Sequence, residues 1–289
     1  MRIHIGGGIG RNALFVVTIA FFGLPIVWLL IAPTKSINQL TFMNPMAFGS
    51  VGHIRIALRN LLSFDHAIFW RWMLNSVWYT IVTLVGALLS SVPAGYALAK
   101  FNFRGRSEIL FVTLITMLIP GAALILPLYL EMSAVGLTDT PWSVILPLMF
   151  YPFGVYMTYL FAKHSIPDSV LEAGRLDGCS EFGLFTLIFV PLSRPTIVMI
   201  GFFSVVGSWN SFFLPYIMLT SQHLANLQTG LQILVTSTGA IGGGNLTNIP
   251  IRAPEVALAA IVSIFPILLV FLFAQRYLAA GQAAGAEKG

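Results

Sequence analysis

The stretch EAGRLDGCSEFGLFTLIFVP runs from Glu172 to Pro191 and lies between two long apolar segments of the chain. It begins with a carboxylate and two small residues, Ala173 and Gly174, and Gly178 follows after three further positions. The small side chains would allow a partner's surface to approach the backbone closely, and Glu172 carries a charge that a partner cation or backbone amide can hold. We therefore predict a short protruding element that docks another protein at a membrane surface.

The residues around this stretch predict two short helices joined by a bend. Pro167 suits the first position of a helix, with Asp168 beside it. Gly178 is predicted to end that helix in the left-handed conformation, which costs glycine little. Ser180 can cap a second short helix that ends near Pro191.

Composition places the rest of the chain in a membrane. Hydrophobic residues make up 57% of the sequence and charged residues only 9%, which differs strongly from the balance of a soluble domain. Apolar segments of about 20 residues cross a bilayer as helices, because backbone amides in lipid must be bonded within the segment. We predict an all-α polytopic membrane protein with six spans: Ala13–Ala32, Ser76–Ala99, Ile109–Leu130, Pro141–Ala162, Pro195–Met218 and Val256–Gln275.

The distribution of Lys and Arg predicts the orientation, because cytoplasmic loops are enriched in cations. With both termini on one side, that side collects most of them: Arg2, Arg11, Lys100, Arg104, Arg106, Lys163, Arg175, Arg194, Arg276 and Lys288. The other side holds Lys35, Arg55, Arg59, Arg71 and Arg252. We therefore predict cytoplasmic termini and a cytoplasmic loop 163–194. The net charge of +5 lies in loops and does not indicate nucleic-acid binding.

The chain divides into three predicted regions. Residues 1–74 hold the first span and an amphipathic outer segment, in which apolar residues from Ile54 to Leu62 lie opposite Arg55 and Arg59, with Phe69, Trp70 and Trp72 placed at the interface. Residues 75–280 form the main transmembrane domain, which contains loop 163–194. Residues 281–289 form a cytoplasmic tail.

The 172–191 stretch resembles the signature cytoplasmic loop of bacterial ABC importer permeases, Glu-Ala-Ala-x3-Gly-x9-Ile-x-Leu-Pro. Gly174 replaces the usual second alanine and Val190 replaces leucine, and both replacements are conservative in bulk. The resemblance implies a type I importer permease fold whose loop transmits motion from a separate ATPase subunit. The residues that would dock this subunit are Glu172, Ala173, Gly174, Asp177, Gly178, Ile188 and Pro191.

Other segments resemble one branch of that family, the carbohydrate importers of the maltose-transporter type. They include Asn75-Ser76, Pro127–Leu130 with Gly136-Leu137, Trp209–Phe212 with Pro215, and the end of the chain from Gln275. The branch implies a second homologous permease, an ATPase dimer that binds ATP and Mg, and an extracytoplasmic solute-binding protein. This chain itself would bind no cofactor. By position alone, a glycine-rich outer loop containing Gly242, Gly243, Gly244 and Asn245 would face the binding protein.

The uncharged spans contain candidates for a sugar path, since sugars call for aromatic faces, amides and hydroxyl groups. Two explanations stay open for them: pore lining, and interhelical hydrogen bonds worth about 0.5–2 kcal/mol each. The candidates are Ser208, Trp209, Asn210 and Ser211 in the fifth span and Ser90 and Ser91 in the second.

The sequence distinguishes between three classes of function. The sequence has no GxxxxGK[ST] phosphate loop, no HExxH pair and no GxSxG turn, which disfavours a membrane enzyme and assigns ATP hydrolysis to another subunit. No Asp, Glu, Lys or Arg lies within the six predicted spans, which disfavours the alternative of a secondary transporter or channel for a small polar solute. The favoured prediction is the permease of an ATP-driven sugar importer in a bacterial inner membrane.

Overall fold

A computed structural model describes residues 8–238 and 251–286, with side chains from 10 to 238 and from 251 to 276. Within these residues the chain consists of helices and turns, without strands. The α-helices are α1 (Gly8–Ile31), α2 (Ile37–Phe42), α3 (Val51–Ser63), α4 (Ile68–Lys100), α5 (Arg106–Leu118), α6 (Gly121–Ala134), α7 (Trp142–Met149), α8 (Pro152–Ser165), α9 (Asp168–Leu176), α10 (Glu181–Gly183), α11 (Val190–Leu192), α12 (Arg194–Trp209), α13 (Phe213–Met218), α14 (Leu227–Ser237) and α15 (Ala253–Ala286). A π-helix, Leu184–Phe189, joins α10 to α11.

Two compact units emerge from the contacts. The first is drawn from the described residues of Met1–Arg71 and Gly230–Phe265, and the second from those of Trp72–Thr229 and Pro266–Gly289. Each unit is described by itself below.

Four helical segments are long and apolar enough to cross a membrane: Gly10–Thr34, Ile68–Lys100, Trp142–Ser165 and Ala253–Arg276. Two further pairs of helices qualify when each pair counts as one span, which gives the six that were predicted. These are Arg106–Leu118 with Gly121–Ala134, and Glu181–Leu192 with Arg194–Trp209.

The predicted third span, Ile109–Leu130, is not a straight helix. It breaks at Ile119 and Pro120, and the two halves are bent by 109°. Proline has no N–H group and disfavours the helical conformation in the residue before it, and Ile119 accordingly adopts extended angles (φ −72°, ψ 124°).

The predicted fifth span, Pro195–Met218, is also interrupted. α12 ends at Trp209, and the short α13 begins only at Phe213. Pro215 cannot donate a hydrogen bond to the carbonyl of Ser211, so that carbonyl needs another donor. The side-chain amide of Asn226 supplies it at 2.7 Å.

The first unit contains the outer segment, where α3 buries Ala57 and Leu61 as its amphipathic pattern predicts. Lys35 is only 2% exposed, and its ammonium donates to the carbonyls of Asn44 (2.7 Å) and Pro45 (2.9 Å). Lys35 therefore stabilises this segment, which explains one of the cations that oppose the predicted charge asymmetry.

Only one of the three aromatic residues predicted at the membrane interface has an exposed side chain. Trp70 is 55% exposed, but Phe69 and Trp72 are buried.

The indole of Trp72 belongs to a row of side chains on one face of α4, in the second unit. Because 72, 75, 76 and 79 are spaced by three or four residues, they share that face. These side chains form hydrogen bonds to the segment that follows α13. Three of them donate to backbone carbonyls: Trp72 to Gln222, Asn75 to His223 and Ala225, and Tyr79 to Leu224. The Ser76 hydroxyl accepts a hydrogen bond from the amide of Leu227.

α4 and α8 approach closely at Gly95, in the second unit. A Cβ atom at this position would lie 2.5 Å from the Val155 carbonyl oxygen and 2.5 Å from Cβ of Thr158. Neither atom is the end of a flexible side chain, so the neighbours cannot yield. The absence of a side chain at Gly95 is therefore required by the packing of these two helices.

We predict that Gly95→Ala lowers stability by about 1–3 kcal/mol, because overpacking forces the backbones apart. The matched control is Gly207→Ala in α12, where a Cβ atom meets nothing within 4 Å. Alanine there should be neutral or gain about 0.5–1 kcal/mol from its higher helix propensity. Thermal unfolding of the purified protein in detergent would measure both, and equal midpoints for the two variants would contradict this packing.

Asp139 connects the α6–α7 turn to the segment after α13. Its backbone is in the left-handed region (φ 56°), and its carboxylate accepts hydrogen bonds from the amides of Thr220 and Ser221 (2.9 Å each) and from the Ser221 hydroxyl (2.6 Å). The bonds from Ser221 are the main cause that lowers the pKa of Asp139 below its usual value.

A lowered pKa in the folded state gives stability that is complete above the unfolded pKa of about 3.9 and is lost as pH falls through the folded pKa. We therefore predict that Asp139→Asn lowers the unfolding midpoint at pH 7, and that its difference from the unmodified protein shrinks below about pH 4. Asp65→Asn is the control, since Asp65 also has a positive φ (41°) and its side chain forms no hydrogen bond within the described residues. A difference that stays constant with pH for Asp139→Asn would exclude the carboxylate as its source.

Candidate functional site

The element predicted to protrude, here called the elbow (residues 168–192), contains two short helices joined by a tight turn. α9 begins at Asp168, one residue later than predicted, and Pro167 before it is extended. Gly178 is left-handed as predicted (φ 82°). Its amide bonds to the Arg175 carbonyl and the amide of Cys179 to the Gly174 carbonyl, both at 3.0 Å. This pair of bonds is the Schellman motif, which satisfies carbonyls at a helix end.

The second arm of the elbow begins with the predicted cap. The Ser180 hydroxyl accepts a hydrogen bond from the amide of Gly183 at 3.1 Å. The arm then continues as the π-helix Leu184–Phe189 and ends at Leu192, one residue after the predicted end at Pro191. A π-helix is a rare, wide form that occurs frequently at functional sites.

The two arms pack directly against each other at Gly174. This residue is buried, and a Cβ atom on it would lie 2.5 Å from Cδ2 of Leu184 and 2.9 Å from Cδ1 of Ile188. The small size of Gly174 therefore serves contact within the elbow, whereas the sequence suggested a surface open to a partner. Ile188 thereby packs inside the elbow, and the two arms form one packed unit.

The opposite face of the elbow is exposed. Glu172 and Ala173 lie on it, and within the described part of the chain the Glu172 carboxylate has no hydrogen bond or ion pair. Two large apolar side chains accompany them: Leu176 is 89% exposed and Phe182 is 74% exposed. A charge and two apolar groups on a protruding turn are typical of an interaction surface.

An ion pair spans the turn between the arms. The guanidinium of Arg175 donates two hydrogen bonds to the Glu181 carboxylate, at 2.7 and 3.2 Å. The bond from Arg175 lowers the pKa of Glu181, and the pKa of Arg175 is raised in turn. Both side chains are exposed, so this pair adds orientation more than stability.

The first arm is attached to the end of α4 through Lys100. The Lys100 ammonium donates to the Ile166 carbonyl at 2.7 Å and to the Asp168 carboxylate at 2.6 Å. The bond from Lys100 lowers the pKa of Asp168. The Lys100 side chain is 5% exposed and that of Asp168 is 78% exposed, so only the cation is shielded from solvent.

The second arm is attached to α4 through Tyr96. Its ring centroid lies 4.6 Å from that of Phe189 and 5.3 Å from that of Phe185, both in the π-helix. Tyr96 is 3% exposed, yet its hydroxyl has no hydrogen-bond partner among the described residues. A buried polar group without a partner costs about 1–3 kcal/mol. Both arms therefore contact one face of α4, one turn apart.

A polar groove lies beside α9, with a volume of about 500 Å³. It is lined by both signs of charge, including Glu172, Arg175, Arg106 and Lys163. Within the described residues, no group of three His, Cys, Asp or Glu could hold a metal ion. The groove is therefore a polar, charged recess beside the elbow.

The path candidates in the second span, Ser90 and Ser91, differ in exposure. Ser91 is fully buried, and its hydroxyl bonds to the Ala87 carbonyl at 2.5 Å. Ser90 is exposed and donates to the Met149 carbonyl at 2.9 Å. That carbonyl precedes the break between α7 and α8, so Ser90 satisfies a backbone group that the break leaves free.

The fifth-span candidates lie where α12 ends. Ser208 and Trp209 are buried in the last turn, Asn210 is exposed at the break, and Ser211 is half-buried. The exposed Asn210 and the exposed Ser90 are therefore the candidates that could meet a solute. A role of any of these residues in the path stays a prediction.

Two predicted regions extend beyond the described residues. The outer-loop candidates Gly242, Gly243, Gly244 and Asn245 all lie outside them. The predicted tail, 281–289, is described only as far as Ala286, where α15 ends, so its first residues continue a helix.

Several functional contacts were missed in the sequence. Leu176, Phe182 and Tyr96 gave no signal, because isolated apolar or aromatic residues near a span are ordinary. The row of hydrogen-bonding side chains on α4 did give a signal in the sequence. Polar and aromatic residues at positions 72, 75, 76 and 79 lie on a single helix face at the start of an apolar span.

Comparisons with known proteins fit this geometry. The model of the family described as "Binding-protein-dependent transport system inner membrane component" matches residues 91–283. The arabinooligosaccharides transport system permease protein AraQ of Halalkalibacterium halodurans is 36% identical over 226 residues, which are 78% of this chain and 76% of AraQ. The diacetylchitobiose uptake system permease protein NgcG of Streptomyces coelicolor is 28% identical and covers 95% of this chain and 87% of its own length.

A solved structure shows the same fold. It is a chain of a bacterial ABC transporter involved in the import of the acidic polysaccharide alginate, with a TM-score of 0.79 and 24% sequence identity. The match covers 93% of this chain and 95% of the other.

We predict that Gly174→Ala is tolerated and that Gly174→Leu is not. An added methyl group meets only the mobile ends of Leu184 and Ile188, which can move, whereas a leucine would force the arms apart and cost about 1–3 kcal/mol. Thermal unfolding and limited proteolysis within the elbow would measure the change. Proteolysis of Gly174→Leu at the same rate as the unmodified protein would show that the arms do not need this contact.

Proposed function

We propose that this chain forms one half of an ATP-driven solute pathway. The premise is its family: the chain belongs to the binding-protein-dependent transport system inner membrane components. The family transports solutes and does not itself catalyse a reaction, and its members are inner-membrane proteins with several spans. A second homologous permease would complete the pathway, and an extracytoplasmic binding protein would deliver the solute. The observation that carries this proposal is the elbow, which is stiff inside and exposed on its outer face.

The partner of the elbow in this proposal is a nucleotide-binding ATPase that carries ATP and Mg. Leu176 and Phe182 would enter an apolar recess of that subunit, and the unpaired carboxylate of Glu172 would meet a cation or amide there. The predicted charge asymmetry supports a cytoplasmic elbow and cytoplasmic termini. ATP hydrolysis belongs to the partner, since this sequence has no phosphate loop.

The mechanism that follows is alternating access driven from the cytoplasmic side. When the ATPase dimer closes on ATP, each docked elbow moves with it, and the spans open toward the binding protein. Hydrolysis and release of the nucleotide restore the first arrangement. The nucleotide can drive this exchange only through its different affinity for the two states. A flexible elbow would deform instead of moving the spans, and this difference in free energy would not reach them. The packing at Gly174 and the bonded turn at Gly178 provide the stiffness.

The solute proposed is an uncharged oligosaccharide. Two similar permeases are named for arabinooligosaccharides and diacetylchitobiose. The six predicted spans contain no Asp, Glu, Lys or Arg. The exposed Asn210 lies at the break after α12, and the exposed Ser90, inside α4, donates to the Met149 carbonyl at the break between α7 and α8. Hydroxyl and amide groups without charge suit a hydroxyl-rich neutral solute. Backbone outside a helix is tolerated at membrane depth only where protein or a water-filled cavity receives it, which favours a path at these breaks.

Affinity purification of this chain from its native membranes tests this proposal. We expect this chain to co-purify with a second permease and an ATPase, and Glu172→Lys to abolish both the ATPase contact and solute uptake while membrane insertion persists. Glu108→Lys is the matched control, because Glu108 is also an exposed glutamate, in the first turn of α5 and outside the elbow. A Glu172→Lys variant that retains the ATPase and normal uptake would refute the docking role of the elbow.

A further inference from the structure

α4 receives both arms of the elbow, and the two attachments differ in strength. Lys100 contacts the first arm and Tyr96 the second, four residues apart on one helix face. The carboxylate that pairs with Lys100 is 78% exposed, so solvent and salt screen that ion pair. Tyr96 is 3% exposed and has contacts on several sides. The contact through Tyr96 is therefore better shielded from solvent than the ion pair of Lys100 with Asp168.

The contact of Tyr96 lies on the π-helix. Phe185 and Phe189 stack on each other (5.8 Å, 19°) and both meet the Tyr96 ring, while Phe101 covers its edge at 5.8 Å. Val92, one turn earlier on α4, belongs to the same buried cluster. A densely packed cluster transmits displacement because its members cannot compress. The second arm cannot move far without moving the inner end of α4.

The Tyr96 hydroxyl is not explained by this packing. It is buried and has no partner in the described residues, whereas a phenylalanine would fill the same ring space without burying a hydroxyl. Glu181 of the elbow interacts electrostatically with Tyr96, and its carboxylate, which Arg175 holds in this arrangement, is a candidate acceptor. A small shift of the second arm would bring the hydroxyl and such an acceptor together.

We propose that Tyr96 is the positioning residue through which the elbow moves α4: its ring transmits the displacement, and its hydroxyl gains an acceptor in the nucleotide-bound arrangement. This inference rests on the proposed function and adds the residue that links the docked elbow to a span. Tyr96 touches neither solute nor nucleotide, and it acts through α4.

The test uses the assembled complex with its ATPase, in which Cys179, the single cysteine, is replaced by serine and Leu89→Cys on α4 carries a bimane fluorophore. Leu89 is 71% exposed, so a label fits there. ATP with Mg and vanadate should shift the bimane emission as α4 moves. In Tyr96→Leu, ATP hydrolysis should persist while this shift is lost. In Tyr96→Phe, the ATP concentration for the half-maximal shift should rise about fivefold, the expected effect of one lost hydrogen bond.

Tyr79→Phe is the matched control on the same helix, since it removes a hydroxyl that is bonded to the Leu224 carbonyl at 2.7 Å. It should lower the unfolding midpoint and leave the ATP titration unchanged, whereas Tyr96→Phe should change the titration and raise the midpoint, because it removes a buried hydroxyl without a partner in the described residues. If Tyr96→Leu shifts like the unmodified complex, transmission through the ring is wrong. If Tyr96→Phe has the same ATP titration as the unmodified complex, the proposed role of the hydroxyl is wrong. If Tyr96→Leu does not assemble, the titration of Tyr96→Phe alone decides the proposal. Failure of the unmodified complex to bind an ATPase would instead refute the proposed function.

Discussion

The structure depends on one constraint: every backbone polar group in an apolar surrounding must find a hydrogen-bond partner. Where a span continues as a helix, the helix itself supplies the partners. Where proline interrupts a span, a side chain from elsewhere does so, as Asn226 does for the Ser211 carbonyl and Ser90 for that of Met149. These two polar side chains therefore stabilise the breaks. In the proposed function, the breaks would contribute polar groups to the path of the sugar.

The elbow obeys the same constraint on a smaller scale. Its turn uses the amides of Gly178 and Cys179 to bond the end of α9, and Ser180 caps the arm that follows. These backbone hydrogen bonds are formed within the element itself. Gly174, which has no side chain, allows the two arms to pack against each other. The outer face is then free to display Leu176 and other exposed groups to a partner. One element is thus rigid toward α4 and open toward the ATPase proposed to drive it.

Much of this architecture was predictable from local chemistry. The six apolar segments followed from the length that a bilayer imposes, and the bend at Gly178 and the cap at Ser180 followed from the conformations these residues favour. Every proline in a span was expected to kink or break its helix, but the sequence did not distinguish Pro120, where the span bends by 109°, from Pro93, which stays inside the continuous helix α4. The difference depends on which neighbours can satisfy the released carbonyl.

The sequence by itself determined the class of protein, the number of apolar segments, and the position and caps of the elbow, because these follow from composition and from residues close together along the chain. Only the tertiary structure decided which face of each element is used. Gly174 faces inward, Leu176 faces outward, and Tyr96 meets Phe189 across 93 positions of sequence. Such contacts depend on the packing of distant segments, and no local preference of a residue specifies them.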